Sequence, residues 1–147
     1  MALIFYSYVA YIWIKYGIQR SISASYYKLP KDLKWLFTAF CFLFGMGAAM
    51  MGGLDKSILM FLSGVLVCFI GVTPNFKDKG EKWIHMIAAY GSGILSQLAI
   101  VFDYKIIPLA LITLTCFMFL MILKRSVKEI WWIEIITFTT VILAFLK

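Results

Sequence analysis

Six apolar stretches recur along the chain, at 2–18, 35–54, 57–74, 83–102, 106–123 and 130–146, each 17 to 20 residues long. A helix needs about 20 mostly apolar residues to cross the hydrocarbon core of a bilayer. The connections between the stretches are too short to hold a separate soluble domain. The pattern predicts an all-α polytopic membrane protein: a compact six-helix transmembrane bundle forming a single domain over residues 1–147.

Two other architectures fit poorly. A helix of a soluble bundle shows a polar face at a period of 3.6 residues. The runs Ile58–Thr73 and Ile106–Leu123 are apolar all round. An outer-membrane barrel needs strands that alternate apolar and polar residues, and the stretches do not alternate. Only 14% of residues are charged, against about 25% in an average soluble domain.

The formal net charge is +7. Basic residues collect in the cytoplasmic loops of membrane proteins, and that reading is preferred here to nucleic-acid binding. Eleven of the fourteen Lys and Arg fall in the first, third and fifth connections: Lys15, Arg20, Lys28, Lys31 and Lys34; Lys77, Lys79 and Lys82; Lys124, Arg125 and Lys128. The other three are Lys56, Lys105 and Lys147. This asymmetry predicts cytoplasmic basic loops and external termini. Trp35, Trp83, Trp131 and Trp132 stand at the basic ends of their stretches, where an amphipathic indole marks the interface.

The first stretch carries its charges, Lys15 and Arg20, after its apolar core and has no A-x-A site. A secretory signal has the opposite arrangement, so this segment is read as a retained first span. Cys41, Cys68 and Cys116 all fall inside spans and form no CxxC pair. They are read as small buried hydrophobes. No cofactor and no metal are expected.

Small residues allow helices to approach closely in lipid. The second stretch carries Gly45, Ala49 and Gly53, with Ala48 and Gly52 beside them. The third carries Ser63, Gly64 and Gly71, and the fourth Ala89 and Gly93, with Ala88, Ser92 and Ser96 as a second row. These three helices are expected to form the tight centre. The fifth and sixth, rich in bulky side chains, are expected to face lipid or a partner. Asp55–Lys56 and Asp103–Tyr104–Lys105 read as tight, self-paired turns on the less basic side.

The polar residues at the basic end need a role. The first connection contains Ser21-Ile22-Ser23-Ala24-Ser25-Tyr26. Serine caps turns and helix starts, so a structural role stands beside a functional one. Thr73 closes the third stretch, and His85, the one histidine, opens the fourth. A lone histidine without Cys or carboxylate helpers makes no metal site. Glu134 lies about one turn into the sixth stretch, and an acid at that depth is a functional candidate by default. Its structural alternative is to reach the headgroup water or to pair with Lys128 or Arg125. Ser21, Ser23, Tyr26, Thr73, His85 and Glu134 are therefore expected at one leaflet as a candidate polar site.

The Arg20–Tyr27 segment, Thr73-Pro74, Ile84-His85 and Glu134 resemble a family of six-span bacterial membrane proteins with a Ser-Ile-Ser motif after the first span. That family is similar, at a distance, to the DRAM-like superfamily, which includes GPI-anchor remodelling factors. The resemblance implies a six-helix fold and a site built from the Ser-Ile-Ser loop, the histidine and the acid. It implies no particular reaction. Three functions stay open, in this order. The first is a binding or accessory protein that holds a lipid, or a larger membrane partner, at this polar face. The second is a membrane-embedded lipid-modifying enzyme, for which no complete catalytic set is visible. The third is a small transporter or channel. The expected partners are membrane lipids, with a larger membrane complex or a homo-oligomer as further candidates, and no nucleic acid.

Overall fold

The computed structural model describes residues 1–74, 79–123 and 129–146. Among the described residues it is all-helical. Its α-helices are α1 (Ala2–Tyr16), α2 (Trp35–Leu54), α3 (Ile58–Val72), α4 (Lys79–Phe102), α5 (Ile107–Leu123) and α6 (Glu129–Ala144), with short 3-10 turns at Ser23–Tyr27 and Lys31–Leu33. Of the basic residues used above to assign sidedness, Lys77, Lys124, Arg125 and Lys128 lie outside the described residues, as does Lys147.

Two helices are long and apolar enough to cross a membrane by length and composition, over Lys31–Leu54 and Gly80–Phe102. The others are shorter than their apolar stretches, because local chemistry stops them. Gly17 ends α1 with φ at 73°, a backbone conformation that glycine tolerates best. Thr73 and Pro74 end α3, since the residue before a proline is pushed out of the helical region. Ser57 starts α3 by accepting the Met60 N–H at 3.1 Å, a standard N-cap bond. Pro108 sits in the first turn of α5, where a missing N–H costs nothing.

The small residues of α2 and α3 meet as expected. A Cβ added to Gly45 would sit 2.6 Å from the Gly64 carbonyl oxygen, and one added to Gly64 would run into the backbone of Ala49 and Gly45. Gly52 approaches the Phe61 backbone just as closely. At the other end of this pair the Thr38 hydroxyl donates to the Gly71 carbonyl at 3.1 Å. The Ser63 hydroxyl donates to the Ser92 carbonyl at 2.8 Å and ties α3 to α4. Gly53 and Gly93 behave differently, because a Cβ on either meets nothing within 4 Å.

The outer helices divide more sharply than their similar compositions suggest. Helix α5 exposes bulky apolar side chains, among them Leu111, Ile112, Leu114 and Phe119. Helix α6 is drawn inward and buries Trp131, Thr140, Val141, Ile142 and Ala144. Phe138 of α6 joins an aromatic cluster with Phe5 of α1 and with Phe40 and Phe44 of α2. Tyr8 stacks on Phe40 with ring centroids 4.6 Å apart. Trp131 is fully buried, whereas Trp35 and Trp83 are exposed, so this indole belongs to the core instead of the rim.

Asp55 and Asp103 are braced across the two turns. Tyr104 donates to the Asp55 carboxylate at 3.0 Å, and the Ser57 hydroxyl donates to the Asp103 carboxylate. Both turns place a lysine in the left-handed region, Lys56 at φ 58° and Lys105 at φ 56°. The two hairpins are thus clamped to each other, where sequence spacing predicts that each pairs within itself.

Candidate functional site

A cavity of about 550 Å³ lies among α2, α3, α4, α5 and α6, within the roughly 300–1,000 Å³ range of small-molecule sites. Its wall is mostly apolar: Phe37, Phe40 and Phe44 on one side, Ile133, Phe138 and Val141 on another. Tyr90 and Ile94 of α4 and Leu114 and Phe117 of α5 line it while also standing exposed on the outside of the bundle. The cavity therefore opens sideways, between α4 and α5. Gly93 faces this space, which explains why no atom lies where its side chain would be.

The end nearest the first connection is closed by Ile22 and Ser23 together with Glu134. The backbone N–H of Ile22 donates to the Glu134 carboxylate, so the Ser-Ile-Ser loop is fastened to α6. The loop owes its shape to its serines. The Ser21 hydroxyl accepts the Ala24 N–H at 3.0 Å. The Ser25 hydroxyl donates to the Ile22 carbonyl and shares a 2.6 Å bond with the Tyr8 hydroxyl of α1. With its proton committed to a carbonyl, Ser25 is a brace and not a nucleophile.

The six predicted site residues separate into three environments. Ser23 and Glu134 line the cavity, with Ser21 capping the turn between them and the first helix. Thr73 and His85 form a second group. His85 is buried, and its Nδ1 lies 2.8 Å from the Thr73 carbonyl. A carbonyl only accepts, so Nδ1 carries the proton in this bond. The Thr73 hydroxyl in turn donates to the Phe69 carbonyl at 2.8 Å. This group pins the end of α3 to the start of α4, and His85 is not among the described residues that line the cavity. Tyr26 is in the third environment, packed on Phe37 and Tyr27 with the Lys34 ammonium 4.5 Å from its ring centre. The alternative partners of Glu134, Arg125 and Lys128, lie outside the described residues.

Several groups at the site escape a reading of the sequence. The Ile22 N–H is one, because every residue but proline has such a donor. Gln97 is another. It lines the cavity and donates to the Thr140 hydroxyl at 3.1 Å. Thr140 gives its own proton to the Thr137 carbonyl at 2.8 Å, which fixes which end of the amide faces it. The Gln97 carbonyl oxygen is buried without a hydrogen-bond partner among the described residues. An amide in the middle of an apolar helix was the available signal.

The arrangement suits binding better than proton transfer. It offers a long apolar volume, a side opening and one carboxylate at the inner end. No group of three or more His, Cys, Asp or Glu is placed to hold a metal ion among the described residues. No family model, no curated protein and no solved structure matches the chain.

Proposed function

We propose that the chain is an integral membrane protein whose six helices all cross the bilayer, and that it holds one lipid chain in the cavity that opens between α4 and α5. The observation that carries this reading is the shape of that cavity: apolar walls, a lateral mouth, and the Ser23–Glu134 end closed by the Ser-Ile-Ser loop. A lipid chain can enter such a mouth from the side without leaving the hydrocarbon phase.

The outside of the bundle supports the membrane part of the reading. Leu3, Ile14, Ile58, Ile87 and Ile122 are each more than half exposed, on four different helices. Soluble monomers rarely expose apolar patches larger than a few hundred Å². The 15- to 17-residue helices α1, α3, α5 and α6 rise about 22–26 Å. Flanking residues and modest local thinning of the bilayer make up the rest. Loop charge favours basic connections in the cytoplasm and external termini, and a bacterial inner (plasma) membrane is what the family resemblance implies. The likeness of the Ser-Ile-Ser segment to six-span relatives belongs to the same proposal.

Binding is preferred to lipid modification because His85 is engaged with Thr73 and lines no part of the cavity. Glu134 then has no acid–base partner there among the described residues.

Native mass spectrometry of the protein released from lipid nanodiscs tests the reading. The variant to compare is Gly93→Phe, which directs a side chain into the cavity from a position with open space around it. The wild type should retain one lipid per chain and the variant none. Equal retention by both would contradict the proposal.

A further inference from the structure

The polar groups of the residues that line the cavity are mostly acceptors, with the hydroxyls of Ser23 and Tyr90 as donors beside them. Ser63, Ser92, Ser96, Thr113 and Thr137 all line it, and the hydroxyl of each gives its proton to a helix carbonyl. A hydroxyl committed in this way has only oxygen lone pairs left to offer a ligand. Gln97 also lines it, and its carbonyl oxygen is itself buried with no donor among the described residues. Glu134 adds a carboxylate that has the Ile22 N–H as its described partner. Among the described residues that line the cavity there is no Lys, Arg or His. The basic side chains of the first connection stand elsewhere: Lys28 and Lys31 are exposed, and Lys34 rests over Tyr26.

A cavity of this kind is poorly matched to a phosphate or a carboxylate, which would bring more acceptors and more negative charge. A carboxylate in apolar surroundings is costly unless a cation pairs with it. A protonated amine provides the positive charge and up to three donors. The chain attached to that amine would follow the apolar walls from Glu134 to the opening between α4 and α5.

We propose that the cavity selects a single-chain lipid amine, with the ammonium against Glu134 and the hydrocarbon chain along α4 and α5. This rests on the lipid-binding reading above and adds the class of headgroup. The net charge of +7 works in the opposite direction at the surface, attracting anions and repelling amines. A measured preference for an amine would therefore arise inside the protein and not from accumulation around it.

The test uses the full chain in phosphatidylcholine nanodiscs and three photoreactive probes with the same diazirine-bearing hexadecyl chain, ending in an amine, an alcohol or a carboxylate. The amine should label α4 and α5 about tenfold more than either of the others, the size of one charge-assisted hydrogen bond. Glu134→Gln keeps an oxygen for the Ile22 N–H and should reduce amine labelling to the level of the alcohol. Gly93→Phe should abolish labelling by all three. Alcohol or carboxylate labelling that matches the amine, or an amine preference that survives Glu134→Gln, overturns the headgroup assignment. If labelling is equal for the three probes and still lost in Gly93→Phe, the chain-binding reading stands without the amine. If no labelling depends on Gly93, both fail. The comparison of headgroups on the wild type needs no variant to fold.

Discussion

Ile22 and Glu134, 112 residues apart, are joined by a backbone-to-carboxylate hydrogen bond that closes one end of the cavity. The bond connects the first loop to the last helix, so the acid has a structural duty as well as its place at the site. Ile22 is almost fully buried, and its N–H loses its described acceptor when the carboxylate is removed.

Glu134→Ala should destabilise the bundle by about 1–3 kcal/mol, the cost of a buried donor left without an acceptor. Glu134→Gln preserves an acceptor and should lose only about 1 kcal/mol, the difference between a charged and a neutral bond. Reversible unfolding in mixed micelles measures both. Equal losses would show that Ile22 does not depend on this side chain.

A second pair of substitutions probes the centre of the fold. Gly64→Ala drives a Cβ into the backbone of Ala49 and Gly45, and neither helix can yield without moving as a whole. A loss of about 1–3 kcal/mol or more is expected, as for other overpacked cores. Gly53→Ala meets nothing within 4 Å and should be neutral or stabilising by up to about 1 kcal/mol, through helix propensity alone. The same unfolding assay separates them, and similar effects at the two glycines would contradict the close α2–α3 contact.

The clamp between the two hairpins gives a pH-dependent prediction. Burial, the hydrogen bond to Asp55 and the charges of Asp55 and Asp103 raise the Tyr104 hydroxyl above its ordinary value of 10.0. Below that value both the folded and the unfolded chain hold the proton, and the contribution of Tyr104 is constant. Above it the unfolded chain releases the proton first, so stability falls as pH rises towards the folded value. The advantage of the wild type over Tyr104→Phe should therefore be present at neutral pH and shrink as pH rises past 10. An advantage that grows with alkalinity would contradict the geometry of the clamp.

Much of the fold is visible in the residues, and the reasons it stops are physical. Apolar runs locate helices because an apolar segment needs an apolar environment along its whole length. Gly45, Gly64 and Gly71 reveal the α2–α3 contact because only a missing side chain permits it. Gly93 has the same composition signal and the opposite role, since a glycine also leaves space for a cavity. Trp131 and Trp132 are neighbours of one type, yet one is fully buried and the other partly exposed. Their difference is a rotation of about 100° around the helix, which composition cannot specify. The Asp55–Tyr104 bond and the Ile22–Glu134 bond depend on which loops become neighbours. His85 and Glu134 are both polar residues near the basic ends of their helices, but depth along a helix does not determine which face a side chain takes.

Thiol labelling in sealed, right-side-out membrane vesicles tests most directly whether the first four connections alternate between the two sides, as the six-crossing arrangement requires. In a background with Cys41, Cys68 and Cys116 changed to alanine, single cysteines replace Lys31, Lys56, Lys82 and Lys105 in turn. A membrane-impermeant maleimide should reach Lys56→Cys and Lys105→Cys in intact vesicles, and Lys31→Cys and Lys82→Cys only after permeabilisation. Labelling of all four from the outside, or of Lys31→Cys and Lys82→Cys from opposite sides, would contradict it.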